Sequence, residues 1–286
     1  MLMDWFISPF LSNQFMLYAL LAGVIVSFTC AVVGTFVILR GLAFIGDAIA
    51  HGVLPGIAIA ILMGIPGVVG AAIGTVVMIS GVSLITLKSR LSSDTAIGLL
   101  FVGMLALGVI IVSRSTSFSG DLVRILFGEI LGVSIQAIVL QVIAAVVIVI
   151  VTVACSRPFL LLCFDPEQAQ VSGFSSQLFH YIMLALIALT VVVSFQTVGT
   201  LLVFGMLLAP AGAGALLARR IGAMMAWATV FGTLSIYFGL LASYHLNIAA
   251  GAAIVLTAVI IFFIVFTVQT VRGQQVRRME LHPPHE

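Results

Sequence analysis

Runs of about 20 apolar residues recur almost end to end in this chain, beginning with FMLYALLAGVIVSFTCAVVGTFVIL at residues 15–39. A helix of that length spans the hydrocarbon core of a bilayer while satisfying its own backbone hydrogen bonds. With 63% hydrophobic residues and only 7% charged ones, water could not keep such a chain in solution. It is therefore predicted to be an all-α, polytopic protein of the lipid bilayer. Hydropathy and turn residues place the spans at Phe15 to Leu39, Leu42 to Met63, Pro66 to Leu87, Ala96 to Ser113, Ser134 to Cys155, Leu178 to Phe195, Val198 to Ala218, Ile221 to Ala242 and Ile248 to Val271. That is about nine helices, within a range of eight to ten, in a single membrane domain covering residues 1–286.

Positive residues orient the spans. With the N-terminus outside, Arg40, Lys88, Arg90, Arg157, Arg219, Arg220, Arg272, Arg277 and Arg278 fall on the cytoplasmic side, and Arg114 and Arg124 fall outside. The reverse orientation would invert that nine-to-two split, so residues 272–286 are expected to form a cytoplasmic tail. The opening MLMDWFISPFLSNQ lacks a basic leader and carries Asp4 and Pro9, so it is expected at the outer interface rather than as a signal peptide. Cys30, Cys155 and Cys163 have no paired spacing and read as packing residues. A net charge of +2 reflects the positive-inside residues and gives no argument for nucleic acid.

Ionisable residues that cannot reach water carry the chemistry of a membrane protein. Asp94, Asp121, Glu129, Asp165, Glu167, His180 and His245 belong to loops or span ends, which leaves Asp47 and His51, in GLAFIGDAIAHGVLPG, as the pair well inside a predicted span. An offset of four residues puts both on one helix face. A carboxylate oxygen with a neutral imidazole suits Zn²⁺, Mn²⁺ or Fe²⁺, whereas a soft ion would call for sulfur ligands. Two ligands leave the shell open, as a permeating ion requires, and a second copy about a symmetry axis would complete four. The alternative is a structural Asp–His hydrogen bond that locks two helices.

Pro55 removes the N–H that the carbonyl of His51 would otherwise use, so the helix is expected to break near the pair. Gly46, Gly52 and Gly56 either admit an ion to the backbone or form a close helix-packing face. Pro210, in VGTLLVFGMLLAPAGAGALLARR, frees the carbonyl of Met206 in a stretch that either lines the pathway or forms a helix seam. In FDPEQAQVSGF, Asp165 reads as an N-cap, Pro166 as the first helical residue, Glu167 as a complement to the helix N-terminus and Gly173 as the terminator. A short capped cytoplasmic helix of this kind is a docking candidate. The sequence contains no G-x-x-x-x-G-K-[ST], H-E-x-x-H or G-x-S-x-G, so ATP-driven transport would need a motor on another polypeptide.

Over nearly its whole length the chain resembles the permease subunits of the ABC importers for zinc, manganese and chelated iron. GLAFIGDAIAHGVLPGIAIA is similar to that family's G-D-A-x-x-H-x-x-x-P-G signature, and FDPEQAQVSG to its cytoplasmic F-D-x-x-x-A-x-x-x-G loop. VGTLLVFGMLLAPAGAGALLARR and SYHLNIAAGAAIVL resemble its later spans, although Asn247 stands where the family often has aspartate and APAGAGALL replaces its commoner proline, alanine and threonine run. The resemblance implies the architecture of the cobalamin-type importers and a bacterial cytoplasmic membrane. It also implies a second permease copy or paralogue, cytoplasmic ATPase subunits docked on a coupling helix near Asp165, Pro166, Glu167, Ala169 and Gly173, and an extracytoplasmic metal-binding protein. Asp47 and His51 would contact or gate the transported Zn²⁺ or Mn²⁺, with no permanently bound cofactor. A proton-coupled secondary metal transporter, using the same pair as a proton relay, is the competing reading. A structural scaffold would leave the pair and the capped helix without a role.

Overall fold

The computed structural model describes residues 2–89, 91–113 and 130–281. Arg90, Arg114, Asp121, Arg124, Glu129, His282 and His285 lie outside the described residues. The described chain forms α1 (Leu2–Ser12), α2 (Gln14–Leu39), α3 (Ala43–Leu62), α4 (Gly67–Lys88), α5 (Ser93–Ser113), a 3₁₀ turn (Ile130–Gly132), α6 (Ile135–Ala154), α7 (Ser156–Phe164), α8 (Pro166–Val171), α9 (Ser176–Leu217), α10 (Ile221–Leu246) and α11 (Ala250–Leu281). No strand occurs among the described residues. Eight helical stretches are long and apolar enough to cross a membrane, and Leu202–Leu217 is a shorter ninth segment. The predicted spans are thus all present as helices. Beyond Val271 the chain continues as helix to Leu281, so the first part of the expected tail extends α11.

Long-range pairings reveal a reversal inside α9. Before Gly199 the chain runs antiparallel to α2, with His180 beside Arg40 and with Thr190 and Ser194 bordering a small cavity shared with Thr29 and Ile25. After Gly199 it runs parallel to α2, with the Cys30 thiol donating to the Val203 carbonyl oxygen, Gly34 against Leu207 and Ala211, and Gly212 approaching Ile38. Gly199 turns the chain with φ 76° and ψ 162°, a region that a side chain excludes. The 42-residue helix is therefore two antiparallel limbs, matching the sixth and seventh predicted spans.

Short connections and ring contacts order the remaining helices. Gly56 meets Gly70 and Gly52 meets Gly74, so α3 and α4 are antiparallel. Phe159 of α7 packs edge-on against Phe36 at 5.4 Å, which places α7 and α8 at the end of the bundle where α2 finishes. α11 runs parallel to the second limb of α9, through Gly205 with Val255 and Gly212 with Phe262. Arg40, Lys88, Arg157, Arg219, Arg220 and Arg272 consequently share one end of the bundle with α8. α2 and α3 are the most deeply buried spans and α5 and α11 the least. Between helices in lipid, apolar burial supplies little driving force, so close backbone approach and dispersion contacts hold the bundle.

Candidate functional site

The site begins at the elbow between α2 and α3. Gly41, at φ 68°, ends α2, while the Gly41 N–H donates to the Ile38 carbonyl at 3.1 Å and the Leu42 N–H donates to the Val37 carbonyl at 3.0 Å. These two bonds form a Schellman cap, which satisfies carbonyls that a membrane helix end would otherwise leave bare. α3 then starts at Ala43 and brings Asp47 and His51 onto one face in its second and third turns.

His51 Nε2 and Asp47 Oδ1 lie 3.4 Å apart, and the two side chains are 23% and 30% exposed respectively. That spacing is long for an N–H···O hydrogen bond. It suits two donors sharing one ion: with bonds of about 2.1 Å, donors at that separation subtend roughly 108° at the metal, close to a tetrahedral angle. His51 Nδ1 is buried and has no hydrogen-bond partner among the described residues, and the edge-on ring of Phe101 from α5 packs against the imidazole at 5.3 Å. Among the described residues no third His, Cys, Asp or Glu joins the pair. The chain therefore presents two donors on a half-exposed helix face.

Contrary to the expected break, α3 runs on as helix from Ala43 to Leu62 through Pro55, and the residues expected to interrupt it are packed against neighbouring helices. A Cβ at Gly52 would meet Met78 of α4 at 3.1 Å, one at Gly56 would overlap the Gly70 carbonyl oxygen, and one at Gly46 would meet Leu207 of α9 at 2.8 Å. Pro55 is buried, and Gly108 of α5 approaches its nitrogen within 3.3 Å of an added Cβ. These small residues let α4, α5 and α9 close around α3, whose Asp47 and His51 stay partly exposed. Pro210 is buried in the second limb of α9, where Ala211 and Ala213 are fully enclosed and Gly212 faces Phe262. The small residues there form a helix seam.

The capped helix α8 has the local structure its sequence specifies. Asp165 Oδ1 accepts from the N–H groups of Glu167 and Gln168, both at 3.0 Å, and Pro166 opens the helix. At the other end Gly173, at φ 83°, donates to the Gln170 carbonyl and the Phe174 N–H donates to the Ala169 carbonyl, a second Schellman cap. Ala169 is buried as the anchor, whereas Phe164 and Val171 are 74% and 89% exposed. Phe164 just before the helix and Val171 at its last position thus stand outward.

One further contact was not anticipated. An Arg40 guanidinium N–H donates to Nδ1 of His180 at 3.0 Å, joining residues 140 positions apart. Burial pushes the neighbouring Cys163 thiol above its ordinary pKa, with the Arg40 charge acting against it. His180 was read as a span-end residue, and nothing local in the sequence pairs it with Arg40.

The chain is similar to known membrane proteins over nearly its whole length. Manganese transport system membrane protein MntC of Listeria monocytogenes is 40% identical over 261 residues, covering 91% of this chain and 93% of its relative. Chelated iron transport system membrane protein YfeD of Yersinia pestis is 33% identical over 279 residues, covering 98% and 93%. The solved PsaBC complex of Streptococcus pneumoniae with a Fab contains a chain that superposes with a TM-score of 0.83 at 34% identity, over 93% of this chain and 95% of that one. The ABC 3 transport family matches residues 12–269, and the chain, an all-α multi-pass membrane protein, belongs to that family.

Proposed function

We propose that the chain is the membrane-spanning permease of an ATP-driven importer of divalent transition metal ions, with Asp47 and His51 contacting or gating the ion. The observation that carries this reading is the 3.4 Å spacing of a carboxylate oxygen and an imidazole nitrogen on a half-exposed face of a span. Mixed oxygen and nitrogen ligation suits Mn²⁺ and Fe²⁺ as well as Zn²⁺. The relatives named for manganese and chelated iron favour the first two as cargo. A second copy or a paralogue, meeting this chain across the exposed face, would add its own pair and complete the coordination.

ATP hydrolysis belongs to separate cytoplasmic subunits, which dock on α8, including its exposed Val171, and on the adjoining Phe164. An extracytoplasmic metal-binding protein delivers the ion at the opposite end. This reading puts the arginine-rich end of the bundle, and with it the C-terminus, in the cytoplasm, and the N-terminus outside. Coordination requires neutral His51 and ionised Asp47, and an ion enters only where both are free to exchange water for protein donors.

The test is Mn²⁺ uptake in proteoliposomes that contain permease, ATPase and binding protein, with assembly checked for each variant. Asp47→Asn keeps shape but removes the charge that offsets a dication, and His51→Ala removes the nitrogen donor. Each is expected to reduce uptake by an order of magnitude or more, since every 1.4 kcal/mol of lost ion stabilisation is about tenfold. Near wild-type uptake in both variants would reduce the pair to a structural hydrogen bond.

A further inference from the structure

The Arg40–His180 bond lies at the end of the bundle where the start of α9 meets the elbow between α2 and α3. On one side is α8 with the chain that follows it. Phe174, whose N–H completes the α8 cap, packs edge-on against Phe179 of α9 at 5.6 Å, and Phe179 packs edge-on against Phe159 of α7 at 6.4 Å. Phe159 is fully buried and in turn meets Phe36 in the last turn of α2 at 5.4 Å. Four aromatic rings thus connect the C-terminus of α8 to the end of α2, with His180 next to Phe179 and Arg40 one turn beyond Phe36. On the other side is α3, which carries Asp47 and His51 and joins α2 through Gly41 at φ 68°.

The bond has a defined polarity. Arginine has no acceptor and stays protonated, so His180 Nδ1 must accept and the imidazole is held neutral with its proton on Nε2. Beside it a cavity of about 100 Å³ is lined by Leu42, which caps α3, by Ile45 of α3, Ser83 and Thr86 of α4, and His180 and Tyr181 of α9. Ser83 Oγ is buried there and has no hydrogen-bond partner among the described residues. The first turn of α3 is therefore less tightly confined on this side than its middle, where Gly52 and Gly56 touch α4.

We propose that Arg40 and His180 are positioning residues of the transport cycle, an interlock through which movement of α8 is passed by α9 and the end of α2 to the start of α3. This rests on the reading of α8 as the ATPase contact. The aromatic chain keeps α7, α8 and the start of α9 moving with the end of α2. The polar bond fixes the elbow residue itself, so that displacement at α8 turns α3 about Gly41 into the space beneath Leu42 and Ile45. Without the bond the elbow is free to lag behind, and ATP turnover no longer repositions the Asp47–His51 face.

The experiment places a cysteine at Phe44, which is 67% exposed in the first turn of α3, in a background with Cys30, Cys155 and Cys163 replaced. Maleimide labelling of the assembled permease and ATPase is measured with and without ATP, beside ATP hydrolysis and Mn²⁺ uptake. Arg40→Met and His180→Phe are each expected to reduce the ATP-dependent change in labelling about fivefold or more while hydrolysis continues, the range of a typical coupling energy. His180→Asn, which keeps one acceptor near the Nδ1 position, restores most of it, and the double variant is no worse than the more impaired single one. A wild-type labelling response in His180→Phe overturns the interlock, as does a double variant whose loss is the product of the two single losses. His180→Phe breaks the bond from its other side if Arg40→Met fails to assemble. An ATP response at residue 44 that depends on both residues, in a wild-type transporter that moves no Mn²⁺, supports the interlock and counts against the cargo assignment.

Discussion

Replacing Gly56 by alanine tests whether the packing of α3 on α4 sets the geometry of the Asp47–His51 face. A Cβ at Gly56 would fall on the carbonyl oxygen of Gly70, within 3.0 Å of its carbon and 3.1 Å of Gly74 Cα, and a Cβ at Gly70 would overlap Gly56 in return. Every atom in the way is backbone, so no rotamer change relieves the clash and the two helices must part. Overpacking a close interface costs about 1–3 kcal/mol, and with no side chain to yield the upper half of that range applies. A loss of about 2–3 kcal/mol lowers the melting temperature of a chain this large by roughly 4–12 °C. The shift also moves His51, five residues earlier in α3, relative to the Phe101 ring from α5. Thermal unfolding in detergent and equilibrium Mn²⁺ binding are the assays, with Gly98→Ala as control because an added Cβ there meets no described residue within 4 Å. That control should be neutral or gain up to about 1 kcal/mol from helix propensity. A Gly56→Ala protein with wild-type melting and Mn²⁺ binding would refute the claim that close backbone approach positions α3.

Further outcomes follow from the same structure. At Gly173 the backbone has φ 83° and an added Cβ meets no described residue within 4 Å, so Gly173→Ala and Gly173→Leu should impair Mn²⁺-stimulated ATPase equally, through about 1–2 kcal/mol of backbone strain. Impairment by leucine alone would point instead to a steric clash with the docked partner. A cysteine introduced at Gln275 should resist an impermeant reagent in intact cells and label after permeabilisation, and labelling in intact cells would invert the proposed topology. Because burial raises the Cys163 pKa, its thiol stays protonated near neutral pH, and N-ethylmaleimide should react with it more slowly than with a free thiol and faster as pH rises. Arg40→Met should slow that reaction further, since the arginine charge favours the thiolate. Labelling at pH 7 as fast as free cysteine would contradict this.

What the sequence by itself determined is what depends on neighbours a few residues apart. Nine apolar segments were legible because a spanning helix satisfies its own backbone, and each ended within a few residues of its predicted place except where α11 runs on to Leu281. The four-residue offset of Asp47 and His51 was enough to place them on one face. Asp165, Pro166 and Gly173 specified both ends of α8 through bonds that span no more than five residues. Tertiary structure alone decided which faces meet. The glycines of α3 read equally well as an opening for an ion or as a packing surface, and only the presence of Gly70, Gly74 and Met78 across the interface showed that Gly52 and Gly56 pack. Likewise the partnership of Arg40 with His180 depends on the antiparallel first limb of α9 lying against α2, a pairing of residues 140 apart that leaves no periodic or capping signal in either segment. Local hydrogen bonding and hydrophobic period are encoded in consecutive residues, whereas helix-to-helix contacts in lipid depend on close shape fit between distant segments.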